Sequence, residues 1–403
     1  MLPFEEALKT VLDSGQPLGS EHVGLGRAVN RILAEDVTSD TDIPPFDKAT
    51  VDGYACRRED IANRLTVIET IQAGVPAVRA IEPNQCARIM TGATVPRGAN
   101  CVVMVERTLN VGEDVIRFVG EETANNICHK GEDIKAGEVA LYKGSRIRPQ
   151  HIAALASVGN VRPLVARRPS VAVIATGDEL VEPAFKPGPS QIRNSNSIQL
   201  AAQIEDMGGV VQDYGMVQDI PAHIDSVFKT AVEENDVVII SGGVSVGDFD
   251  LVQEILKQNN VKLLFEKIAV KPGKPTVFGL SEKAYCFGLP GNPVSTFVVF
   301  ELLVKPFLYK LMGHDYSPVS IQMPLGESIT REDSDRQSWI PVTITDRGAL
   351  KPAEGRFNQT RLRRVEYHGS AHIIALCSAD GLISIGVGVA KIEEGAMVRV
   401  RLI

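Results

Sequence analysis

The sequence predicts a multidomain α/β protein whose largest domain is built on a parallel β-sheet. Two observations predict this sheet. The runs 170–175 and 236–240 are apolar after their first residues, Ser170 and Asp236, as strands buried on both faces are. A helical pattern follows each run. A third observation is that shorter strand-like stretches, separated by Gly, Pro and Asn, lie on either side of this region. We therefore expect a parallel-sheet α/β domain, a helical N-terminal domain with an inserted β-rich domain, and a C-terminal β domain.

The segment before residue 167 is predicted to be helical at both ends and β-rich between them. A helix is predicted over 4–12, whose apolar residues recur on one helix face. Further helices are predicted over 23–34 and 149–158, and strands over 65–71, 101–105 and 114–119. These elements predict an N-terminal linker domain, made of residues 1–45 and 133–166, and an inserted β-rich domain over 46–132.

The segment from residue 167 onward alternates strand and helix and then returns to β-structure. Strands are predicted over 170–175, 236–240 and 284–287, and helices over 197–207, 250–257 and 293–311. Later strands are predicted over 319–323, 339–344, 372–376 and 397–403. We therefore expect the α/β domain to span 167–315 and the C-terminal β domain to span 316–403.

Composition and charge exclude several classes of protein. The formal charge of −8 argues against general nucleic-acid binding, which needs a basic face. No apolar run approaches the roughly 20 residues of a membrane-spanning helix, and the N-terminus lacks the layout of a secretory signal. The six cysteines are scattered without a Cys-x-x-Cys pair, so they suit a reducing compartment better than a zinc site or a disulfide framework. We expect a cytoplasmic protein with no membrane and no nucleic-acid partner.

The segment 44–55 carries a carboxylate on a turn. Two prolines precede Asp52, and Gly53 follows it directly. Because prolines restrict the approaching backbone, Asp52 can be fixed in space before a ligand binds. An ordinary surface loop is the alternative, since loops carry both turn residues and functional residues.

Three glycine-containing loops follow the predicted strands of the parallel sheet. They are 176–179, 241–250 and 288–293. Ligands of open parallel sheets bind beyond the carboxyl ends of the strands, and glycines let backbone N–H groups turn toward an anion. Each loop alone is more often a simple turn. Together, at one edge of a sheet, they favour a phosphate-bearing ligand.

Charged residues near these loops suggest a metal and an anion. Asp250 and Glu179 are candidate Mg²⁺ ligands, because Mg²⁺ prefers oxygen ligands shared between carboxylate and phosphate; helix capping explains Asp250 equally well. Lys267 and Lys271 lie on a segment rich in Pro and Gly and suit an oxyanion, with a solvated basic turn as the alternative. Thr91 is either a helix cap or a hydroxyl donor.

Seven loops occur in an order that resembles the molybdopterin molybdotransferases, the molybdenum-insertion enzymes of molybdenum-cofactor synthesis, which include the gephyrin E-domain family. The resemblance covers nearly the whole chain. It is carried by 46–55, 90–93, 131–133, 176–179, 241–247, 271–275 and 288–293. It implies an elongated four-domain homodimer, with the site between the sheet domain of one subunit and the N-terminal half of the other.

The resemblance also implies a reaction. Members of the family accept adenylylated molybdopterin, hydrolyse its pyrophosphate link with release of AMP, and place molybdate on the dithiolene with Mg²⁺ or a similar ion. A molybdopterin adenylyltransferase is then a candidate partner. The implied catalytic residues are Asp52, Thr91, Asp133, Glu179, Asp250, Lys267 and Lys271, with Glu179 and Asp250 as metal ligands. The implied binding residues are Gly242, Gly243, Ser245, Lys274, Pro290, Gly291, Asn292, Arg336 and Ser370.

Three positions depart from the family pattern. Asn194 stands where the family has an acid, Cys128 where it usually has Arg, and Lys48 where it usually has Asn. An amide cannot neutralise a metal as a carboxylate does, and a thiol cannot replace a bidentate guanidinium. These departures keep open a divergent paralogue with weak or no insertion activity that binds molybdopterin intermediates. A separate alternative is a molybdopterin adenylyltransferase or nucleotide pyrophosphatase on the same domain, although the extra domains speak against an adenylyltransferase.

Overall fold

The computed structural model describes residues 1–243, 251–345, 360–366 and 369–403. The chain forms two compact units. The larger consists of Met1–Glu21, Asn30–Ala34 and Val165–Ile403, and the smaller of His22–Val29 and Glu35–Leu164. The finer division into four domains, with boundaries near 45, 132, 166 and 315, stays a prediction.

The larger unit contains a sheet that is parallel over most of its width. Within the described residues its strands are β1 (Ser170–Thr176), β2 (Val210–Val217), β3 (Val237–Ser241), β4 (Lys262–Phe265), β5 (Val277–Leu280) and β6 (Tyr285–Leu289). Their order is β2-β1-β3-β6-β5-β4. The first four of these are parallel, and β5 and β4 add an antiparallel edge. The predicted parallel sheet and its strands β1, β3 and β6 are confirmed.

Helices cover both faces of this sheet, as the apolar strands predict. They are α1 (Asn196–Asp206), α2 (Pro221–Glu234) and α3 (Leu251–Gln258). Val171 and Val173 of β1 pack in one core with Leu200 of α1. Ala172 of the same strand packs in a second core with Phe228 of α2. Each fully buried aliphatic or aromatic side chain contributes roughly 1.5 to 3 kcal/mol, so burial on both faces fixes the sheet in place.

The predicted helix over 293–311 is present but is not uniform. It consists of Pro293–Val299, a π-helical segment at Phe300–Val304, and Lys305–Leu311. The π-helical segment ends two residues before Pro306, whose ring nitrogen has no hydrogen to donate to the preceding turn. We attribute the local change of register to this proline.

The C-terminal part of the larger unit forms a second sheet. Its strands among the described residues are Val270–Lys271, Gln337–Thr345, Gly381–Ile385, Met397–Leu402 and Ser320–Pro324, with Arg361–Arg364 paired to the second. The predicted strands at 319–323, 339–344 and 397–403 are confirmed. The strand predicted at 372–376 is wrong, because Ile373–Ser378 is a 3₁₀ helix. Local bonds replace strand pairing there: the N–H of His372 donates to the carbonyl of Gly369 at 3.1 Å.

Most of the helices and strands predicted for the N-terminal part of the chain are present in the structure. Helices lie at Phe4–Ser14 and Pro149–Ser157. One sheet of the smaller unit has, among described residues, the strands Cys101–Met104, Gly53–Cys56, Gln85–Ile89, Arg64–Ile71, Val115–Phe118 and Thr108–Gly112. The helix predicted over 23–34 is wrong, because only Leu25–Arg27 is helical, as a 3₁₀ turn. Gly24 and Gly26 disfavour a longer helix.

Short strand pairs complete the smaller unit. Val37–Thr38 pairs with Val139–Leu141, and Lys48–Ala49 pairs with Ile127–Cys128. Across the described ranges, no helix is long and apolar enough to cross a membrane.

Candidate functional site

Three chain turns meet at the carboxyl edge of the parallel sheet, after β1, β3 and β6. The N–H of Gly242 donates to the carbonyl of Leu289 at 3.2 Å. A Cβ atom on Gly242 would lie 2.2 Å from the carbonyl oxygen of Thr176, and one on Gly291 would lie 3.7 Å from the Cα of Gly242. The turns are therefore in direct contact, and their expected meeting at one sheet edge is confirmed. We call them the three corners.

A cavity of about 530 Å³ opens at the three corners. This volume lies within the range of small-molecule sites. The cavity is lined by Thr176, Gly177, Glu179, Leu180, Ile192, Arg193, Asn194, Ser195, Asn196, Asp219, Ser241, Gly242, Gly243, Pro275, Pro290, Gly291, Asn292, Pro293, Ala371 and Ile373. Six predicted residues are thus brought together: Glu179, Gly242, Gly243, Pro290, Gly291 and Asn292.

Asp219 is a cavity residue that the sequence reasoning missed. It lies two residues beyond β2, at the same sheet edge as the three corners. The hydroxyl of Thr176 donates to its carboxylate, and its own N–H donates to the carboxylate of Asp178 at 3.1 Å. The strand-end rule that located the three corners would have found Asp219 if β2 had been predicted.

Asn194, one of the three departures, is engaged in the first turn of α1. It is only 5% exposed. Its Nδ2 donates to the hydroxyl of Ser197 at 2.7 Å, and its Oδ1 accepts from the N–H of Ser197 at 3.3 Å. The amide therefore satisfies polar groups at the start of the helix, a role that amide side chains often have.

The predicted lysines do not line the cavity. The described residues that line the cavity include Pro275 but none of Lys267, Lys271 and Lys274. Lys271 is about half exposed, and its Nζ lies 3.6 Å from Oδ2 of Asp333. The same oxygen accepts a hydrogen bond from Arg336 at 2.8 Å. Lys271, Asp333 and Arg336 thus form a charged cluster, which we call the Asp333 cluster.

Strand pairing between distant segments builds the Asp333 cluster. Val270–Lys271 runs parallel to the start of Gln337–Thr345, with Lys271 opposite Ser338. This register brings Lys271 close to Arg336, which precedes the second strand. The hydrogen bond from Arg336, followed by a backbone N–H and the Lys271 charge, lowers the pKa of Asp333 to about 2.

Ser370 reaches the rim of the cavity through Asn292. Nδ2 of Asn292 donates to the hydroxyl of Ser370 at 2.9 Å. The N–H of Val294 donates to the carbonyl of Ser370 at 3.0 Å. Two predicted binding residues are therefore in contact, whereas Arg336 lies in the Asp333 cluster and not in the described cavity wall.

The predicted residues of the smaller unit include one closely bonded pair. The N–H and the hydroxyl of Thr91 donate to Oδ1 of Asp52 at 2.6 and 2.7 Å. The hydroxyl and then the N–H of Thr91 hold the pKa of Asp52 below its ordinary value. Asp133 is anchored by its backbone, with its N–H donating to the carbonyl of Ile43 at 3.0 Å.

The other two departures from the family pattern are neighbours. Cys128 lies directly opposite Lys48 in the antiparallel pair of Lys48–Ala49 and Ile127–Cys128. Directly opposed residues of antiparallel strands share one face. The side chains of Lys48 and Cys128 therefore lie on the same face of this strand pair.

Two predicted residues of the second loop are not part of the structure as described. Ser245 and Asp250 lie outside the described residues, as does Asp248. Among the residues that are described, no group of three or more His, Cys, Asp or Glu side chains is placed to hold a metal.

The geometry defines an α/β protein with a ligand cavity at the carboxyl edge of its parallel sheet, and comparison with known proteins identifies its family. Residues 2–159 match the model of the "MoeA N-terminal region (domain I and II)". Residues 172–310 match that of the "Probable molybdopterin binding domain".

Full-length relatives extend these matches to the whole chain. The molybdopterin molybdenumtransferase of Staphylococcus epidermidis ATCC 35984 is 37% identical over 410 residues, covering 100% of this chain and 95% of the relative. That of Staphylococcus aureus Mu50 is 36% identical over 411 residues, with the same coverage. The crystal structure of a molybdopterin biosynthesis MoeA protein from Pyrococcus horikoshii OT3 matches with a TM-score of 0.84, 32% identity and full coverage of both chains. The chain belongs to the molybdopterin molybdenumtransferase family, and the predicted resemblance and fold class are confirmed.

Gly242→Ala tests the close contact of the three corners. Gly242 has φ +101°, and a Cβ there would collide with the carbonyl of Thr176. We expect the substitution to destabilise the larger unit by roughly 2 to 4 kcal/mol in urea unfolding, from backbone strain and overpacking. Gly386→Ala is the control, because nothing lies within 4 Å of a Cβ at that position. Equal stability of the two variants would contradict the packing described.

Asp333→Asn tests the Asp333 cluster through its pH dependence. The pKa of Asp333 is lower in the folded state than its unfolded-state value of about 4. The ionised carboxylate therefore stabilises the fold above about pH 4. This contribution is lost as the pH falls through the folded-state pKa of about 2. The thermal midpoint of the wild type should therefore exceed that of Asp333→Asn by a constant amount above about pH 4. The difference should shrink below about pH 4 and disappear only below about pH 2. Asp13→Asn, at an exposed helix position, is the control. A difference that persists unchanged at the lowest pH would rule out this pairing.

Proposed function

We propose that the protein is a molybdopterin molybdotransferase, which inserts molybdate into adenylylated molybdopterin and releases AMP. One observation carries the proposal: the three corners meet around a 530 Å³ cavity in a chain that matches this family along its whole length. The residues proposed to bind the pyrophosphate and the pterin are Gly242, Gly243, Pro290, Gly291 and Asn292. Ser245, which lies outside the described residues, is proposed as a further binding residue. Backbone N–H groups at such turns and at the helix beginning at Pro293 favour phosphate oxygens.

The charge of the cavity supports a divalent cation. Among the described residues that line it, Glu179 and Asp219 carry carboxylates and Arg193 carries the one guanidinium. An anionic pyrophosphate would be repelled by two carboxylates unless a cation lies between them. Carboxylate and phosphate oxygens are the ligands that Mg²⁺ prefers, so the donor set fits this ion. We propose that Glu179, Asp219 and Asp250 hold Mg²⁺, which would neutralise the phosphate charge.

The Asp333 cluster suits molybdate, a tetrahedral oxyanion. Lys271 provides a point charge and Arg336 a planar set of donors, and both are held by one carboxylate. We propose that these two residues, with Lys267, Lys274 and Ser370, bind molybdate and the anionic parts of the substrate.

The smaller unit contributes three proposed catalytic residues, Asp52, Thr91 and Asp133. We further propose a cytoplasmic homodimer that receives its substrate from a molybdopterin adenylyltransferase.

A divergent paralogue is the second candidate, because of the three departures. Asn194 is committed to the first turn of α1, and Cys128 replaces a guanidinium with a thiol beside Lys48. Such a paralogue would bind molybdopterin intermediates with little or no insertion.

Product analysis separates these functions. The protein is incubated with adenylylated molybdopterin, molybdate and Mg²⁺, and AMP and active molybdenum cofactor are measured. A molybdotransferase releases AMP in step with cofactor formation. AMP without cofactor would indicate a pyrophosphatase, and binding without any product would indicate the paralogue. In a separate incubation with molybdopterin and ATP, consumption of ATP would indicate an adenylyltransferase.

Glu179→Gln tests the proposed cation site. Removing one carboxylate ligand should weaken binding of Mn²⁺, used as a paramagnetic substitute for Mg²⁺, on the order of tenfold or more, since even outer-shell changes cost this much. Binding is measured by electron paramagnetic resonance with AMP present, which does not depend on turnover. Glu182→Gln is the matched control, because Glu182 is exposed and lies outside the described cavity wall. Superimposable titrations for both variants would exclude Glu179 as a ligand.

A further inference from the structure

Asn196, the first residue of α1, joins two of the three corners. Its Nδ2 lies 2.9 Å from the hydroxyl oxygen of Ser241, at the end of β3. The same nitrogen lies 2.8 Å from the carbonyl oxygen of Gly291, after β6. Ser241 and Gly291 belong to different loops, so this amide is a direct bridge between them. The family motifs identified in the sequence gave Asn196 no role.

The carbonyl of Gly291 determines which end of the Asn196 amide faces the corners. A backbone carbonyl can only accept a hydrogen bond, so the amide must present its NH₂ group to Gly291. The two hydrogens of this group suit the two acceptors, Ser241 and Gly291. Oδ1 of Asn196 must then point the other way.

Oδ1 of Asn196 is an acceptor available to a ligand. It accepts no hydrogen bond from any residue that the structure describes, and it is not among the buried polar atoms that lack a partner. Asn196 belongs to the cavity wall. An amide oxygen accepts hydrogen bonds and repels other acceptors, so it favours a ligand N–H over a phosphate oxygen.

We propose that Asn196 has two roles at this site: Nδ2 holds the second and third corners together, and Oδ1 accepts a hydrogen bond from a ring N–H or amino group of the ligand. This inference rests on the proposed function, whose substrate joins a pterin, which carries such donors, to phosphates, which carry only acceptors. Asn196 is then a residue that binds a heterocycle of the substrate rather than its phosphates.

Binding of free pterin and of inorganic pyrophosphate to Asn196→Ala tests the proposal. Loss of one hydrogen bond to a ligand weakens affinity about fivefold to tenfold, so pterin affinity, measured by its fluorescence, should fall by that factor. Pyrophosphate affinity, measured by calorimetry, should fall by a smaller factor, because phosphate oxygens offer no donor to Oδ1. In the complete reaction, KM for adenylylated molybdopterin should rise more than kcat falls, a split that general loss of stability would not produce.

Two further variants make the test specific. Asn259→Ala is the matched control, because Nδ2 of Asn259 also donates to a side-chain oxygen and a backbone carbonyl, of Asp225 and Ile255, outside the cavity. Its pterin affinity should stay within about twofold of wild type. Ser241→Ala removes one partner of Nδ2 and keeps Oδ1. It should lower the thermal midpoint while keeping pterin affinity within about twofold of wild type. This result is checked against the wild type and does not require Asn196→Ala to fold; a larger loss of pterin affinity would overturn the division of roles.

The outcomes separate this inference from the proposed function. If the wild type releases AMP and Asn196→Ala matches it in pterin affinity and KM, Asn196 has no role in binding and the inference fails while the function stands. If the wild type releases no AMP but binds pterin through Asn196, the inference stands and the function fails. If Asn196→Ala and Asn259→Ala lose pterin affinity equally, the loss comes from lower stability of the protein and not from a contact with the ligand, and the inference is overturned.

Discussion

The contact between the three corners is the constraint on which the rest of the site depends. Gly242 lies against the carbonyl of Thr176 and donates its N–H to Leu289, so the chain can pass there only without a side chain. Parallel strands bring these turns to one edge, and the buried cores on both faces of the sheet hold them there. The shape of the cavity, and the placing of Glu179 and Asp219 in its wall, follow from this packing.

Opposite charges are divided between the cavity and the Asp333 cluster. The described cavity wall carries more carboxylates than cations, whereas Lys271 and Arg336 share the carboxylate of Asp333. Under the proposed function, the cavity would take the pyrophosphate together with a metal ion, and the Asp333 cluster would take an oxyanion directly. The two groups of residues therefore suit two different substrates, an adenylylated pterin and molybdate.

The sequence predicted the three corners because the apolar strands and the strand-end rule depend only on local pattern. It missed Asp219 because β2, an edge strand with Gln212, Asp213 and Gly215, lacks the apolar run of a central strand. It predicted Lys271 but not its partner Asp333, since only pairing between distant segments joins them. The strand predicted at 372–376 is wrong for a different reason, because local backbone bonds outweighed an apolar run.

The central claim is that the three corners bind the pyrophosphate-linked pterin. Amide hydrogen exchange with and without adenylylated molybdopterin, followed by mass spectrometry of peptides, tests it most directly. Peptides covering 176–180, 241–243 and 289–293 should exchange more slowly with the ligand bound. The helix Phe4–Ser14 contributes no residue to the described cavity wall and should not change. Unchanged exchange in all three peptides, with slower exchange elsewhere, would contradict the account.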